Sequence, residues 1–259
     1  LDRNQQPLSV STGEPGAYVR QGLHPALSSI LGYTHPVYGQ SGLEASLDPY
    51  LRGAQGNSPW QTAWAHLRTG FPPPGLDVRL SLDIAAQSVA DKLLNGQHAA
   101  LVLVNAENGE ILVMSSHPNF NPNTLEADWD QLMQSQDAPF LNRATQASYP
   151  LGAAAAPLLL TAALENGGLP ILPTEPGTCA LPLPTASASL TWSVALMAGC
   201  PEAVEALAQT LGSAVIEALY QDAGFYALPD IRLPVEITTP TSSDDPVATA
   251  LGARLLPLN

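Results

Sequence analysis

The sequence predicts a mixed α/β (α+β) fold, in which an antiparallel sheet is covered by helices and preceded by an extended N-terminal region. The apolar runs 99–104 and 111–116 are joined by a loop that contains Asn108-Gly109, a strong short-range signal for a β-hairpin. Both runs are apolar at consecutive positions, so we expect both faces of the hairpin to be covered. Helix patterns with start and stop residues lie on either side of it and supply the covering layers.

Length and charge limit the classes of function. A chain of 259 residues, 45% of them apolar, can bury a sizeable core. Its formal charge is −14, since 9 Lys and Arg residues are outnumbered by 23 Asp and Glu residues. Such an acidic chain lacks the basic patch that binds phosphate backbones, so the sequence predicts no nucleic-acid partner. It contains no apolar run of about 20 residues, so no transmembrane helix is expected within it.

The first 75 residues predict a linker or pedestal region without chemistry of its own. Its glycines supply turns. The breaker cluster at 71–75 predicts a domain boundary, which leaves residues 76–259 as the second domain. Three histidines lack a paired carboxylate at motif spacing, and we expect surface or capping roles for them. They are His24, His35 and His66.

A strand and a helix are expected between this boundary and the hairpin. Residues 78–82 alternate like a strand, and Asp83 is a good N-cap for a helix that ends near residue 95. Lys92, the only lysine, is expected on the solvated face of that helix. After the hairpin, residues 125–134 predict a short amphipathic helix.

Polar residues near the hairpin are expected to be structural. Ser115, Ser116 and His117 invite a Ser–His interpretation. Adjacent residues on a strand point to opposite faces, so that pairing is poor. Further along the chain, Arg143 is expected to anchor a loop by hydrogen bonds.

Residues 149–165 carry the most informative pattern: Tyr149-Pro150-Leu151-Gly152, four alanines, Pro157 and an apolar helix. Proline is tolerated in the first turn of a helix and costs about 3 kcal/mol in its interior. We therefore expect the regular helix to begin near Pro157, or its first turn to be distorted.

This segment resembles the nucleophile segment of the penicillin-binding protein transpeptidases. In that family a Tyr-Pro-Pro-Gly turn delivers a serine, and a lysine follows one helical turn later, as part of the motif set S-x-x-K, S-x-N and K-T-G. Here Ala153 stands at the serine position and Ala156 at the lysine position. The resemblance therefore implies the family's frame without its nucleophile and base.

The other two motifs are degenerate as well. A helix is predicted over 190–198, and Pro201 begins a second one with Val204, Leu207, Ala208 and Leu211 on its inner face. The two helices meet at Gly199, where the family carries S-x-N, so Gly199 and Pro201 replace its serine and asparagine. Arg68-Thr69-Gly70 mimics K-T-G but precedes the nucleophile segment, and we expect a turn into a strand there. The family's K-T-G strand would follow later, so the C-terminal part of the sheet is expected to be missing.

The resemblance runs along the chain in order and points to the family's class B members. It implies an anchor outside this chain and a place at the extracytoplasmic face of the bacterial cell membrane. The matching segments outside the motifs include residues 1–8, 30–33, 38–44, 48–53, 99–118 and 119–123. Glu44 lies in one of them, and the resemblance implies a structural linker role for it.

Cys179 and Cys200 leave two alternatives open. They form one disulfide, which would contribute roughly 3 kcal/mol by closing a loop of about 20 residues, or they are two buried free thiols. Cys200 has no identifiable activating base, which argues against a nucleophilic role. No metal-binding spacing is present, and neither a metal nor another cofactor is expected.

Three hypotheses of function follow. The first is a pseudoenzyme: a catalytically inactive scaffold or interaction protein of peptidoglycan synthesis, which partners other cell-wall synthesis proteins. The second is a module that binds peptidoglycan stem peptides or penicillin without covalent chemistry. The third, an active D,D-transpeptidase using unrecognised residues, is disfavoured because the only lysine is misplaced and no Ser–His–Asp spacing stands out.

Overall fold

The computed structural model describes residues 1–13, 18–70, 73–172, 179–183, 191–237 and 245–252. Contacts divide the chain into a first unit, Leu1–Ala147 with Asp230–Glu236, and a second unit, Ser148–Pro229 with Ile237–Asn259. This division differs from the predicted one, and the predicted domain boundary near residue 75 stays a prediction.

The described part of the first unit contains three antiparallel strand pairs and six helices. The pairs are β1 (Ser9–Thr12) with β2 (Val19–Gly22), β3 (Thr34–His35) with β4 (Gly39–Gln40), and β5 (Ala99–Val104) with β6 (Ile111–His117). The helices are α1 (Ser28–Leu31), α2 (Gly42–Ser46), α3 (Asp48–Leu51), α4 (Pro59–Thr69), α5 (Ile84–Leu94) and α6 (Leu125–Gln134).

The hairpin predicted from the two apolar runs is confirmed as β5 and β6. β6 is buried over its last five residues. In β5, however, Val102, Leu103 and Val104 are 45%, 47% and 49% exposed. The expectation that both strands are covered on both faces is therefore wrong for β5. The reason is that α5 packs mainly on β6, and β5 has no second strand partner among the described residues.

Asp83 caps α5, as predicted. Its carboxylate accepts hydrogen bonds from the backbone N–H groups of Ala86 and Ala85, at 3.1 and 3.0 Å. Because hydrogen bonds to the charged form favour it, these contacts hold the pKa of the Asp83 carboxyl below its usual value. The helix ends at Leu94, and Lys92 is exposed on it, also as predicted.

The strand predicted over residues 78–82 is wrong. The backbone of this segment bonds to the start of the chain instead of to the hairpin. Leu80 N–H donates to the carbonyl of Leu1, and Arg3 N–H donates to the carbonyl of Leu82, both at 2.9 Å. The first residues and the segment after residue 75 therefore pack together within the first unit.

Sequence reasoning missed α4. Arg68 and Thr69 form its last turn, and Gly70 is its C-cap with φ 75°, so the turn into a strand expected there is wrong. The helix begins with a capping box: the Ser58 hydroxyl accepts from Gln61 N–H at 3.2 Å, and the Gln61 side chain accepts from Ser58 N–H at 2.9 Å. This Ser-x-x-Gln spacing was the available signal.

The predicted helix over residues 125–134 is confirmed as α6. Its Trp129 ring stacks on Tyr38, with ring centroids 3.9 Å apart. His35 stacks on the same tyrosine at 4.6 Å and accepts the backbone N–H of Val37 through Nδ1 at 3.2 Å. His35 therefore has a structural role in a turn, within the surface or capping roles that the sequence predicts for it.

The described part of the second unit is helical. The buried face predicted for its helix at residues 201–211 is confirmed, because Val204, Leu207 and Ala208 are fully buried. Residues 173–178 and 184–190 and the chain beyond residue 252 lie outside the described residues. No described helix has both the length and the apolar character needed to cross a membrane. The helices are α7 (Ala156–Glu165), α8 (Trp192–Ala198), α9 (Pro201–Leu211), α10 (Ser213–Asp222) and α11 (Pro246–Leu251).

Candidate functional site

The four alanines after Gly152 divide between two kinds of helix. Gly152–Ala155 forms a 3₁₀ turn, and α7 begins at Ala156 with Pro157 in its first turn. Proline has no N–H to donate, so a position at the start of the helix leaves no hydrogen bond unmade. The expectation that the regular helix begins near Pro157, after a distorted turn, is confirmed.

Ala153 and Ala156 have different surroundings. Ala153 is exposed, whereas Ala156 is 3% exposed and belongs to the core that α7 shares with α9. An exposed position at a helix start is accessible to a substrate. A methyl group at either position neither attacks a carbonyl nor accepts a proton, and acyl transfer requires both acts.

Gly199 lies beside Ala153 in the second unit. α8 ends at Gly199 in the left-handed conformation (φ 63°, ψ 47°), Cys200 follows as N-cap, and Pro201 begins α9. A Cβ atom built on Gly199 would lie 3.8 Å from the Cβ of Ala153 and 3.2 Å from the Cβ of Ala180. The fold therefore brings two of the predicted motif positions together. We call Ala153, Ala156 and Gly199 the alanine centre.

Of the two cysteine alternatives, the structure has the disulfide between Cys179 and Cys200. The Glu202 carboxylate is close to it, since one oxygen and the two sulfur atoms lie within 4.8 Å of one another. Sulfur atoms bonded to each other are not thiolates, so this group lacks the ligands of a zinc site. The same bond, together with the 1% exposure of Cys200, removes that cysteine as a candidate nucleophile.

Sequence reasoning also missed a polar cluster between α5 and β6, made of Asp91, Ser115, His117 and Gln87. Ser115 Oγ donates to Asp91 Oδ1, and His117 Nε2 lies 3.5 Å from the same oxygen. Gln87 Nε2 donates to that oxygen at 3.1 Å. The sequence argument against a Ser–His pair considered only the adjacent residues Ser116 and His117. It left out Ser115 and His117, which share a face because they are two residues apart.

The polar cluster does not have the arrangement of a serine hydrolase. A triad places the imidazole between the hydroxyl and the carboxylate. Here the carboxylate accepts directly from the Ser115 hydroxyl, which is 0% exposed and out of reach of a substrate. Gln87 also bonds to both backbone groups of Met114, at 2.8 and 3.0 Å. We therefore interpret the cluster as a structural joint between α5 and β6.

Two further predicted residues have the structural roles expected for them. The guanidinium of Arg143 donates to the carbonyl oxygens of Asp137 and Ala138, the second at 3.2 Å, and so anchors a loop. Glu44 is buried and accepts from Arg20 at 2.8 Å within the N-terminal part of the first unit.

Comparison with known proteins gives a family match and named relatives. The family described as penicillin binding protein transpeptidase domain matches residues 99–255. Peptidoglycan D,D-transpeptidase MrdA of Acinetobacter baumannii is 34% identical over 139 residues, which cover 50% of this chain and 21% of that protein. Peptidoglycan D,D-transpeptidase PbpA of Mycolicibacterium smegmatis is 28% identical over 274 aligned positions, which cover 94% of this chain and 55% of that protein.

The fold also matches a solved structure, the D,D-transpeptidase domain of a peptidoglycan glycosyltransferase from Eggerthella lenta. The TM-score is 0.76 at 24% identity, and the match covers 97% of this chain and 60% of that one. The fold class predicted from the sequence is thereby confirmed. The chain spans 21% and 55% of the lengths of the two relatives named above.

Proposed function

Because the chain belongs to the penicillin-binding protein transpeptidase family, we propose that it is a member without acyl-transfer chemistry. The observation that carries the proposal is the exposed methyl group of Ala153, at the position where the family's nucleophilic serine is expected. Ala156 and Gly199 add no proton acceptor beside it. Removing such a nucleophile lowers the rate of an acyl-transfer enzyme on the order of a millionfold.

The role proposed in place of catalysis is that of a scaffold or interaction protein. A fold kept around a centre without reactive groups supports this role. The named relatives are peptidoglycan D,D-transpeptidases, so we place this chain in peptidoglycan synthesis, with cell-wall synthesis proteins as its partners. We also propose a location at the extracytoplasmic face of the cell membrane. The Cys179–Cys200 disulfide supports this location, because such bonds persist in oxidising compartments.

Labelling with fluorescent penicillin tests the loss of chemistry. The chain is incubated with the probe, denatured and run on a gel beside the M. smegmatis relative as a positive control. We expect a band from the relative and none from this chain, and none from A153S, because a serine without a neighbouring base is a weak nucleophile. A stable covalent band from the unaltered chain would contradict the proposal.

Release of D-alanine from a peptide ending in D-Ala-D-Ala is the second measurement, because turnover can occur without a long-lived adduct. The expected rate equals that of buffer alone. Release that depends on the chain and saturates with substrate would show that other residues carry out the reaction.

A second candidate function is non-covalent binding of peptidoglycan stem peptides. It is favoured by the exposure of Ala153 in a turn that opens at Gly152 with φ 54°, with Gly199 beside it. Titration of muropeptides by calorimetry tests it. Saturable heat should be lost in A153W, which fills the exposed position, and kept in A223W, which adds the same side chain at another exposed alanine. Absence of heat with the unaltered chain would leave the scaffold role alone.

A further inference from the structure

α4 carries an apolar stripe that is exposed. Trp60, Trp64 and Leu67 are 74%, 53% and 80% exposed, and the two indole rings stack with centroids 6.3 Å apart. None of the residues of this helix is buried. The spacing i, i+4, i+7 places the three side chains on one helix face. Contiguous exposed apolar surface of this kind marks an interaction site.

The stripe lies on the side of α4 opposite its half-buried residues. Thr62 and Ala65 are the half-buried residues of this helix and mark its inner side. At about 100° per residue, the centre of the stripe lies about 180° around the helix from them. Helices that pack on a core have the reverse arrangement, with the apolar side inward. The caps at Ser58 and Gly70 hold α4 by local bonds, so its folding does not depend on covering the stripe.

The charge around α4 differs from that of the rest of the chain. Residues 49–76 contain no Asp or Glu, although the chain has 23 of them. Arg68 follows Trp64 by one helical turn, is exposed, and forms no ion pair with any described residue. Arg52, in contrast, is neutralised by Asp48 at 2.6 Å. This stretch of sequence therefore carries positive charge and no acidic residue of its own, within a protein of charge −14.

We propose that α4 docks on a lipid surface with anionic headgroups. The stripe inserts into the boundary between headgroups and acyl chains, where tryptophan is the favoured aromatic side chain. Arg68 lies at the edge of the stripe and pairs with a headgroup phosphate. Helices with Trp and Leu on one face and basic residues at its border bind membranes in this way.

Vesicle sedimentation with the whole 259-residue chain tests the proposal. One set of vesicles contains phosphatidylcholine alone, and the other contains about one third phosphatidylglycerol. We expect binding to the anionic set that is weakened at least about tenfold in W60A/W64A/L67A, since the inserted apolar area is lost. R68Q should weaken it about fivefold, which is the contribution of one basic residue near such a surface. The emission of Trp60 and Trp64 should shift to the blue on the same vesicles.

The matched control is V89A/L93A, which truncates apolar residues of α5 that are 58% and 69% exposed. This variant should bind like the unaltered chain. Equal binding of the unaltered chain and the stripe variant, or binding to neither vesicle, would overturn the proposal. The proposal would also be overturned if the unaltered chain were a dimer and W60A/W64A/L67A a monomer, because a second copy would then cover the stripe. Penicillin labelling is not used in this test, so its outcome is separate from that of the proposed function.

Discussion

The polar cluster on β6 and the alanine centre each lack one of the two features that a nucleophilic site requires. The polar cluster brings a hydroxyl, an imidazole and a carboxylate into contact, but its hydroxyl is fully buried. The alanine centre exposes a position at the start of a helix, but a methyl group occupies it. A nucleophilic site therefore requires a reactive atom at a position that a substrate can reach. Residue types alone do not show whether both conditions are met.

The largest effect is expected from a lysine in the alanine centre. A156K places an amine at a position that is 3% exposed in an apolar core, without a partner installed for it. An uncompensated buried charge should lower the free energy of unfolding by about 3–5 kcal/mol. A153S, at the exposed position, should change it by less than about 0.5 kcal/mol. Urea denaturation at pH 7 measures both. A156K with unchanged stability would mean that space and partners for a lysine remain.

The next effect tests whether the polar cluster is a structural joint. D91A leaves the Ser115 hydroxyl without its acceptor and removes one of the two acceptors of the Gln87 amide, which should cost about 1–3 kcal/mol. D130A, at an exposed aspartate of α6, is the control and should stay within about 0.5 kcal/mol. Thermal unfolding compares the two variants. If D91A unfolds at the same temperature as the unaltered chain, the polar cluster does not join α5 to β6.

The third test separates backbone conformation from packing at the alanine centre. G199S should cost about 1–2 kcal/mol, because Gly199 has φ 63°, which side chains other than glycine's rarely adopt. G224S is the matched control: φ is 82° there, and no described atom lies within 4 Å of the added Cβ. The excess cost of G199S, a few tenths of a kcal/mol, then reports its contact with Ala180. If G224S lowers the free energy of unfolding more than G199S does, the contact with Ala180 adds nothing to the cost of backbone strain at Gly199.

The smallest effect at neutral pH concerns another buried polar group of the second unit. Tyr220 donates its hydroxyl to the carbonyl of Ala250 at 2.6 Å. Burial, and then the neighbouring Tyr226, raise the pKa of Tyr220 to about 12. The folded state thus holds the proton more tightly than the unfolded chain, whose tyrosine pKa is about 10. The stability from Tyr220 is complete below pH 10 and falls as the pH rises from 10 towards 12.

Y220F lacks the titrating group and should be about 1 kcal/mol less stable than the unaltered chain at pH 7. This difference should shrink above pH 10. Urea unfolding at several values between pH 7 and pH 11 measures it. A difference that stays constant up to pH 11 would show that Tyr220 does not titrate in this window.

Features that depend on neighbouring residues were predictable from the sequence. The hairpin, the Asp83 cap, the inner face of α9 and the start of α7 near Pro157 are set by turn residues, caps and spacing. α4 was also locally encoded, by Ser58 and Gln61, and was overlooked. The strand expected at 78–82 failed because its hydrogen bonds go to Leu1 and Arg3. The exposure of β5 could not be read locally either, since it depends on which elements pack against it.

The order of segments along the chain predicts that Ala153 and Gly199 are motif positions, and this assignment stays a prediction. The closeness of the two residues in the fold could not be predicted. Their contact depends on a left-handed residue between α8 and α9, which only the folded chain displays. The bond from Ser115 to Asp91 joins a strand to a helix 24 residues earlier, and such packing has no signature in spacing alone.

The link between Cys179 and Cys200 matters to anyone who prepares this protein. It joins residues 21 apart, and losing such a link costs a small domain about 3 kcal/mol. Production in a reducing cytosol would deliver thiols, whereas secretion or oxidative refolding would deliver the bridge. Two batches with different redox histories are therefore two different samples of the α8–α9 junction, and binding data from one should not be pooled with the other.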